Sequence, residues 1–266
     1  MNKIDFDGFK ELYPFESRFL KVGKNLDLHY VDEGAGEPVV MAHGNPTWSF
    51  YYRRLIAALR GKYRAVAPDH IGCGMSDKPQ DYDYTLSNHI ANLENLIESL
   101  ALRDVTLVMH DWGGAIAMGY ATRHPENVKR LVVLNTAAFR MDFIPFRINI
   151  CRIPVFGDIA IRCFNAFAGA ATFMAVEKPE RMTPQVKKGF LAPYDNYENR
   201  IATLRFVQDI PMSPADKSYA TLLDIENNLF RLKDKPMLVV WGARDFCFNL
   251  DFMKKWKAFF PAADYR

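Results

Sequence analysis

The residues best placed to do chemistry lie in Val105–Gly114, VTLVMHDWGG, where an apolar, β-branched run climbs to Asp111 and two glycines open an apolar helix. A strand that ends in one polar side chain and turns sharply into a helix is the geometry of a nucleophile elbow, with Asp111 where the better-known form carries serine. An Asp ahead of a helix is also an ordinary N-cap, so its neighbours decide between the two readings. Gly113 and Gly114 permit close helix–strand packing, and Trp112 brings two donors, a backbone N–H and an indole N–H. A carboxylate is ionised at neutral pH and needs no base to activate it. It attacks a saturated or strained carbon to give an ester. Attack on an acyl carbon would give an anhydride, which argues against peptide or simple ester hydrolysis.

Two further stretches supply partners. His43-Gly44-Asn45-Pro46 forms a turn at a strand end. Such a turn is a plain loop signal, or else it aims Asn45 at the crevice, where with Trp112 it brackets an electronegative leaving atom such as a halide or a ring oxygen. Asp245, just beyond PMLVVWGAR, is either a loop acid or the carboxylate that orients a catalytic histidine. All six histidines (His29, His43, His70, His89, His110 and His124) precede Asp245, whereas this architecture runs nucleophile, acid, histidine. His110 adjoins Asp111, but neighbours in a strand face opposite sides. His43 is the nearest substitute, with a structural role in its turn the preferred reading. The histidines lack metal-ligand spacing with Cys or carboxylates, so the expectation is chemistry without a metal or cofactor.

These residues need a frame. Arg18–Val22 and Leu26–Asp32 read as a hairpin edging a sheet, followed by strands at Val39–Ala42, Tyr63–Pro68, Val105–Asp111 and Val128–Leu134. Helical spacing covers Trp48–Leu59, Ser87–Leu100 (Ser87 or Asn88 as N-cap) and Gly114–Arg123. Strands alternating with helices specify a mostly parallel, doubly wound sheet. From about Phe139 to Ala220 no strand is expected, until PMLVVW restores the pattern. The division is a core over residues 1–138, a helical cap over 139–220 and the second part of the core over 221–266, ending at the approach to a further strand. The cap's Phe143, Phe146, Phe156, Phe164, Phe167, Phe173 and Met174 read first as ordinary core. Lining an apolar pocket over Asp111 is the hypothesis beside that, and a membrane-surface role is a third reading.

Composition narrows the class. The 266 residues are 49% hydrophobic, enough for one large core. Thirty-four basic and 31 acidic residues leave a charge of +3 with no charge block, which argues against nucleic acid or an anionic membrane as partner and for a neutral, small apolar substrate. Four separate cysteines without a CxxC, and an N-terminus without an apolar signal core, point to a cytoplasmic protein with free thiols. No apolar run reaches the roughly 20 residues of a transmembrane span. A homo-oligomer stays open.

At HGNPTW, DHIGCGMSDKP, HDWGG and WGARDF the sequence resembles the haloalkane dehalogenase family of α/β-hydrolases over nearly its whole length. The Asn of HGNP favours that family over the similar epoxide hydrolases, which usually carry an aromatic residue there and two cap tyrosines. The resemblance implies an α/β-hydrolase fold with a helical cap. Asp111 is then the nucleophile, Asn45 and Trp112 hold the leaving halide, and Asp245 is the acid. The expected activity is displacement of halide to an alkyl-aspartyl ester that is later hydrolysed to an alcohol. CRIPVFG, FMAVEKP, LAPYDN and RFVQDIP also resemble the related β-lactone decarboxylases of bacterial olefin biosynthesis. These keep the aspartate and release an alkene and carbon dioxide from a long-chain β-lactone. In the family the histidine lies beyond the next strand, so the chain is read as stopping short of it, with the ester forming but not hydrolysing. A non-catalytic binding protein on this scaffold is the remaining alternative.

Overall fold

A computed structural model describes residues 4–266. Eight strands form one sheet: β1 (Arg18–Val22), β2 (Leu26–Glu33), β3 (Pro38–Ala42), β4 (Arg64–Pro68), β5 (Val105–Asp111), β6 (Val128–Thr136), β7 (Met237–Val240) and β8 (Asp264–Tyr265). Their order is β1-β2-β4-β3-β5-β6-β7-β8. The β1–β2 hairpin is antiparallel and joins β4 antiparallel, while every pair from β4 to β8 is parallel. The doubly wound core expected from alternating strands and helices is therefore present, with the hairpin at its edge.

The central strands read as continuous apolar runs because both faces of the sheet are covered. In β3, Val40 and Ala42 join one core cluster while Val39 and Met41 join the other. In β5, Leu107 and Met109 face the first cluster and Val108 the second. The first cluster takes in α2 (Leu86–Ser99), α3 (Trp112–Arg123), α8 (Tyr219–Asn228) and α9 (Leu250–Phe259); the second takes in α1 (Arg53–Leu59) and Phe9 and Tyr13 of the N-terminal segment.

Between β6 and β7 the described residues contain no strand. Short helices occupy this stretch: α4 (Phe146–Asn149), α5 (Ala166–Met174), α6 (Pro184–Leu191) and α7 (Ile201–Gln208), with a π-helical turn at Asp158–Cys163. Two local readings change. The helix expected over Trp48–Leu59 splits into a 3-10 turn at Ser49–Tyr52 and α1. Helix α2 begins at Leu86, not after Ser87 or Asn88, because its first N–H is satisfied from the helical segment. Leu86 N–H donates to Asp209 Oδ2 at 3.0 Å and to Ser218 Oγ at 2.9 Å. A cap supplied from 123 residues away leaves no local signal.

Candidate active site

Strand β5 ends in Asp111, whose backbone has φ +52° and ψ −129°, a conformation L-residues avoid at a cost of about 1–3 kcal/mol. The strain is held by close packing beneath it. A Cβ at Gly113 would lie 2.0 Å from the Ala42 carbonyl oxygen, and one at Gly44 would lie 2.1 Å from Asp111 Oδ1. Both positions must be glycine for the turn to sit this close to β3. Thr136 Oγ1 donates to the Asp111 carbonyl and ties the turn to β6.

The Asp111 side chain does not cap α3. Its Oδ1 accepts the Asn45 backbone N–H at 2.7 Å. The simple N-cap account of Asp111 therefore fails in favour of an elbow that holds its carboxylate up at the strand end. The residue is half-buried and borders a cavity. Burial pushes its pKa up to about 6, opposed by the backbone N–H groups of Trp112 and Asn45 and assisted by the charge of Asp245.

The cavity measures about 140 Å³. Asp111, Asn45 and Trp112 meet there with Leu86 and Ala115 from the core, Phe143, Ile148, Phe167 and Val207 from the helical segment, and Cys247, Phe248 and Phe252 from beyond β7. The wall is almost entirely apolar, so any charge generated inside must be met by the few donors present.

Trp112 supplies one of them. The other three tryptophans spend their indole N–H on carbonyls: Trp48 on Gly189 at 2.9 Å, Trp241 on Phe248 at 3.1 Å and Trp256 on Thr136 at 2.8 Å. The Trp112 ring packs 5.3 Å from Phe206 and borders the cavity, and among the described residues its N–H has no such acceptor. Asn45 borders the cavity with its two kinds of donor put to different uses. Its backbone N–H holds Asp111, and Nδ2 donates to the Thr203 carbonyl in α7 at 3.0 Å, which commits one amide hydrogen.

Asp245 is close enough to Asp111 for its charge to be felt, yet it is not part of the cavity wall. Its Oδ1 accepts the N–H groups of Cys247 at 2.8 Å and Phe248 at 3.0 Å. It thereby shapes the turn that carries two cavity residues. No histidine hydrogen-bonds either aspartate among the described residues. His43 Nε2 accepts the His70 backbone N–H at 3.0 Å, so Nδ1 is the donor to the Gly44 carbonyl at 2.8 Å. Both its nitrogens are committed to backbone groups, as a structural role in the turn requires. His110 lies flat on Tyr51 at 4.6 Å, and its Nδ1 is buried without a partner among the described residues. Tyr51 is itself raised to about 12 by burial, with the charges of Asp111 and Asp245 adding.

Sequence reasoning missed Tyr51 beside His110 and the cavity residues Leu86, Cys247, Phe248 and Phe252, none of which is of a type or spacing that marks a site. It also misread most of the aromatic side chains of the helical segment. Phe143, Phe146, Phe156, Phe164, Phe173 and Met174 are exposed and not core, while Phe143 and Phe167 border the cavity.

The strained strand-to-helix turn, the parallel sheet and the crevice at its carboxyl end agree with what comparison finds: the model of the α/β hydrolase fold family matches residues 37–266. The chain belongs to the α/β-hydrolase family. It is 48% identical over 258 residues to a cis-3-alkyl-4-alkyloxetan-2-one decarboxylase of Shewanella oneidensis, covering 95% of this chain and 80% of that protein. A protein of the same name from Xanthomonas campestris pv. campestris is 42% identical over 265 residues, covering 95% and 88%. Among solved structures, haloalkane dehalogenase DatA from Agrobacterium tumefaciens C58 superposes with a TM-score of 0.82 at 27% identity, covering 94% of this chain and 87% of that one. Among the described residues of this α/β-hydrolase no helix is long and apolar enough to cross a membrane.

Proposed function

We propose that this α/β-hydrolase decarboxylates cis-3,4-dialkyl β-lactones, with Asp111 as nucleophile and the helical segment as a cap that supplies the apolar wall. The observation that carries the reading is a carboxylate pushed up to about 6 that borders a cavity whose wall is otherwise almost entirely apolar. The 48% and 42% identities to proteins named for this activity support it over halide displacement, the activity expected first from the sequence motifs.

The chemistry follows from these residues. Asp111 attacks ring carbon C4 of the lactone; a C4–O ester bond forms, the ring C4–O bond breaks, and its electron pair leaves on the ring oxygen as a carboxylate. The Trp112 indole N–H and the uncommitted Asn45 amide hydrogen donate to that developing charge. The new carboxylate departs as carbon dioxide. The electrons of its bond to C3 form the C3–C4 double bond, and the C4–Asp111 bond breaks to return the carboxylate. Neither water nor a proton is consumed, so the cycle closes without a general base. The apolar wall assists by withholding solvation from the intermediate carboxylate. Attack inverts C4 and anti elimination reverses that sense once, so a cis lactone gives a cis alkene.

Halide displacement would use the same first step but leaves an ester that only water can release. The two are separated by turnover in ¹⁸O-water. The proposal expects cis alkene and carbon dioxide from the lactone, with no ¹⁸O in the Asp111 peptide by mass spectrometry. Heavy oxygen accumulating in that peptide during lactone turnover, or halide release from a 1-haloalkane with no action on the lactone, overturns it.

A further inference from the structure

The cap carries the most prominent exposed apolar side chains of the molecule. Phe146 is 76% exposed, Phe164 75%, Val155 70% and Phe173 69%. Soluble surfaces scatter such residues singly, and a group of them on one segment marks an interaction site. This face is continuous with the cavity. Phe143, three residues before Phe146, and Phe167, on the helix that carries Phe173, both belong to the cavity wall.

Of the three arginines between Phe143 and Val176, Arg162 is buried 3.6 Å from Asp158 and Arg152 lies 3.5 Å from Asp216, while Arg147 is exposed. Lys187 Nζ sits 3.9 Å from the centroid of the Phe173 ring, and Arg147 Nη1 lies 3.6 Å from Met174 Sδ. Neither cation has a carboxylate partner among the described residues. Cations laid along protruding apolar side chains are the composition of a surface that seats in the headgroup layer, where the rings reach acyl chains and the cations stay with phosphates.

We infer that this face of the cap docks on an anionic bilayer surface, with Phe146, Phe164, Val155 and Phe173 entering the headgroup–acyl boundary and Arg147 and Lys187 meeting lipid phosphates. Its consequence for catalysis rests on the function proposed above. A lactone with two alkyl chains partitions into lipid, and the docked cap sets the cavity mouth against that reservoir.

Co-sedimentation with vesicles tests this. The protein is expected to bind phosphatidylcholine vesicles containing phosphatidylglycerol, and to bind less as salt is raised. The triple variant F146S/F164S/F173S is expected to lose about tenfold or more of that binding while keeping its circular dichroism and its turnover of a short-chain lactone. The pair R147E/K187E is expected to lose the preference for anionic lipid. D111N is expected to sediment like the parent, which separates failure of docking from failure of the proposed chemistry. Absence of binding to anionic vesicles, or binding that the triple variant leaves intact, overturns the inference. Self-association in ultracentrifugation that the triple variant abolishes, without vesicle binding, also overturns it and assigns the face to a second copy of the chain.

Discussion

Two aspartates follow the strands that flank β3, and they have opposite fates. Asp69, just past β4, has no accessible surface and is surrounded by donors: His29 Nδ1 contacts Oδ2 at 2.7 Å, Met75 N–H reaches Oδ2 at 2.8 Å and Ser49 N–H reaches Oδ1 at 2.7 Å. Burial alone would raise its pKa, but the charge of His29, its hydrogen bond, the charge of His43 and the Met75 N–H outweigh that and hold it below the usual carboxylate range. Asp111, at the end of β5, is half-buried beside the cavity and receives only the N–H groups of Asn45 and Trp112, and burial pushes it up to about 6. An enclosed carboxylate is thus a structural anchor where donors saturate it, and the candidate nucleophile is the one that borders a cavity with fewer donors.

The strongest test of that contrast is D111N. Lactone turnover is expected to fall on the order of 10⁴-fold or more, measured as alkene by gas chromatography. A carboxylate whose folded pKa is raised costs stability once ionised; its contribution is intact below the unfolded value and lost as pH rises through about 6. D111N is therefore expected to unfold at higher denaturant than the parent at pH 8, by up to about 3 kcal/mol. A variant that retained turnover, or was destabilised, would break the comparison from the reactive side.

D69N should behave in the reverse way. Removing one member of a satisfied buried cluster is expected to cost about 3–5 kcal/mol in urea unfolding, while the folded fraction keeps its rate. A large loss of rate in folded D69N would show that the anchor also takes part in the chemistry.

The smallest effect is the pH response. Below about 6, turnover is expected to fall about tenfold per pH unit as Asp111 gains a proton. The lowered pKa of Asp69 means that its stabilisation is present above the ordinary carboxylate value and lost only as pH falls through its own lower one. Activity should therefore decline while circular dichroism is still native, and coincident loss of both would erase the distinction.

The sheet was legible because its strands are buried on both faces. Runs such as Val105–Met109 have no polar residue to disguise them apart from Thr106. Asp111, Asn45 and Trp112 were legible because turn residues and donors cluster at strand ends. The rest depends on contacts between distant parts of the chain. Nothing near Leu86 announces that Asp209 and Ser218 will cap its helix. The aromatic residues of α4 and α5 look like core by composition, since spacing alone does not reveal that those helices are too short and too peripheral to be covered on all sides. Asp245 illustrates an intermediate case: its position after β7 was readable, but not that its Oδ1 would be spent on Cys247 and Phe248.

The four tryptophans also make the molecule its own reporter. Three have their indole N–H fixed to a backbone carbonyl and lie outside the cavity wall. Trp112 alone borders that space, so a change in intrinsic emission on adding ligand reads out occupancy beside Asp111, with no label and no turnover required.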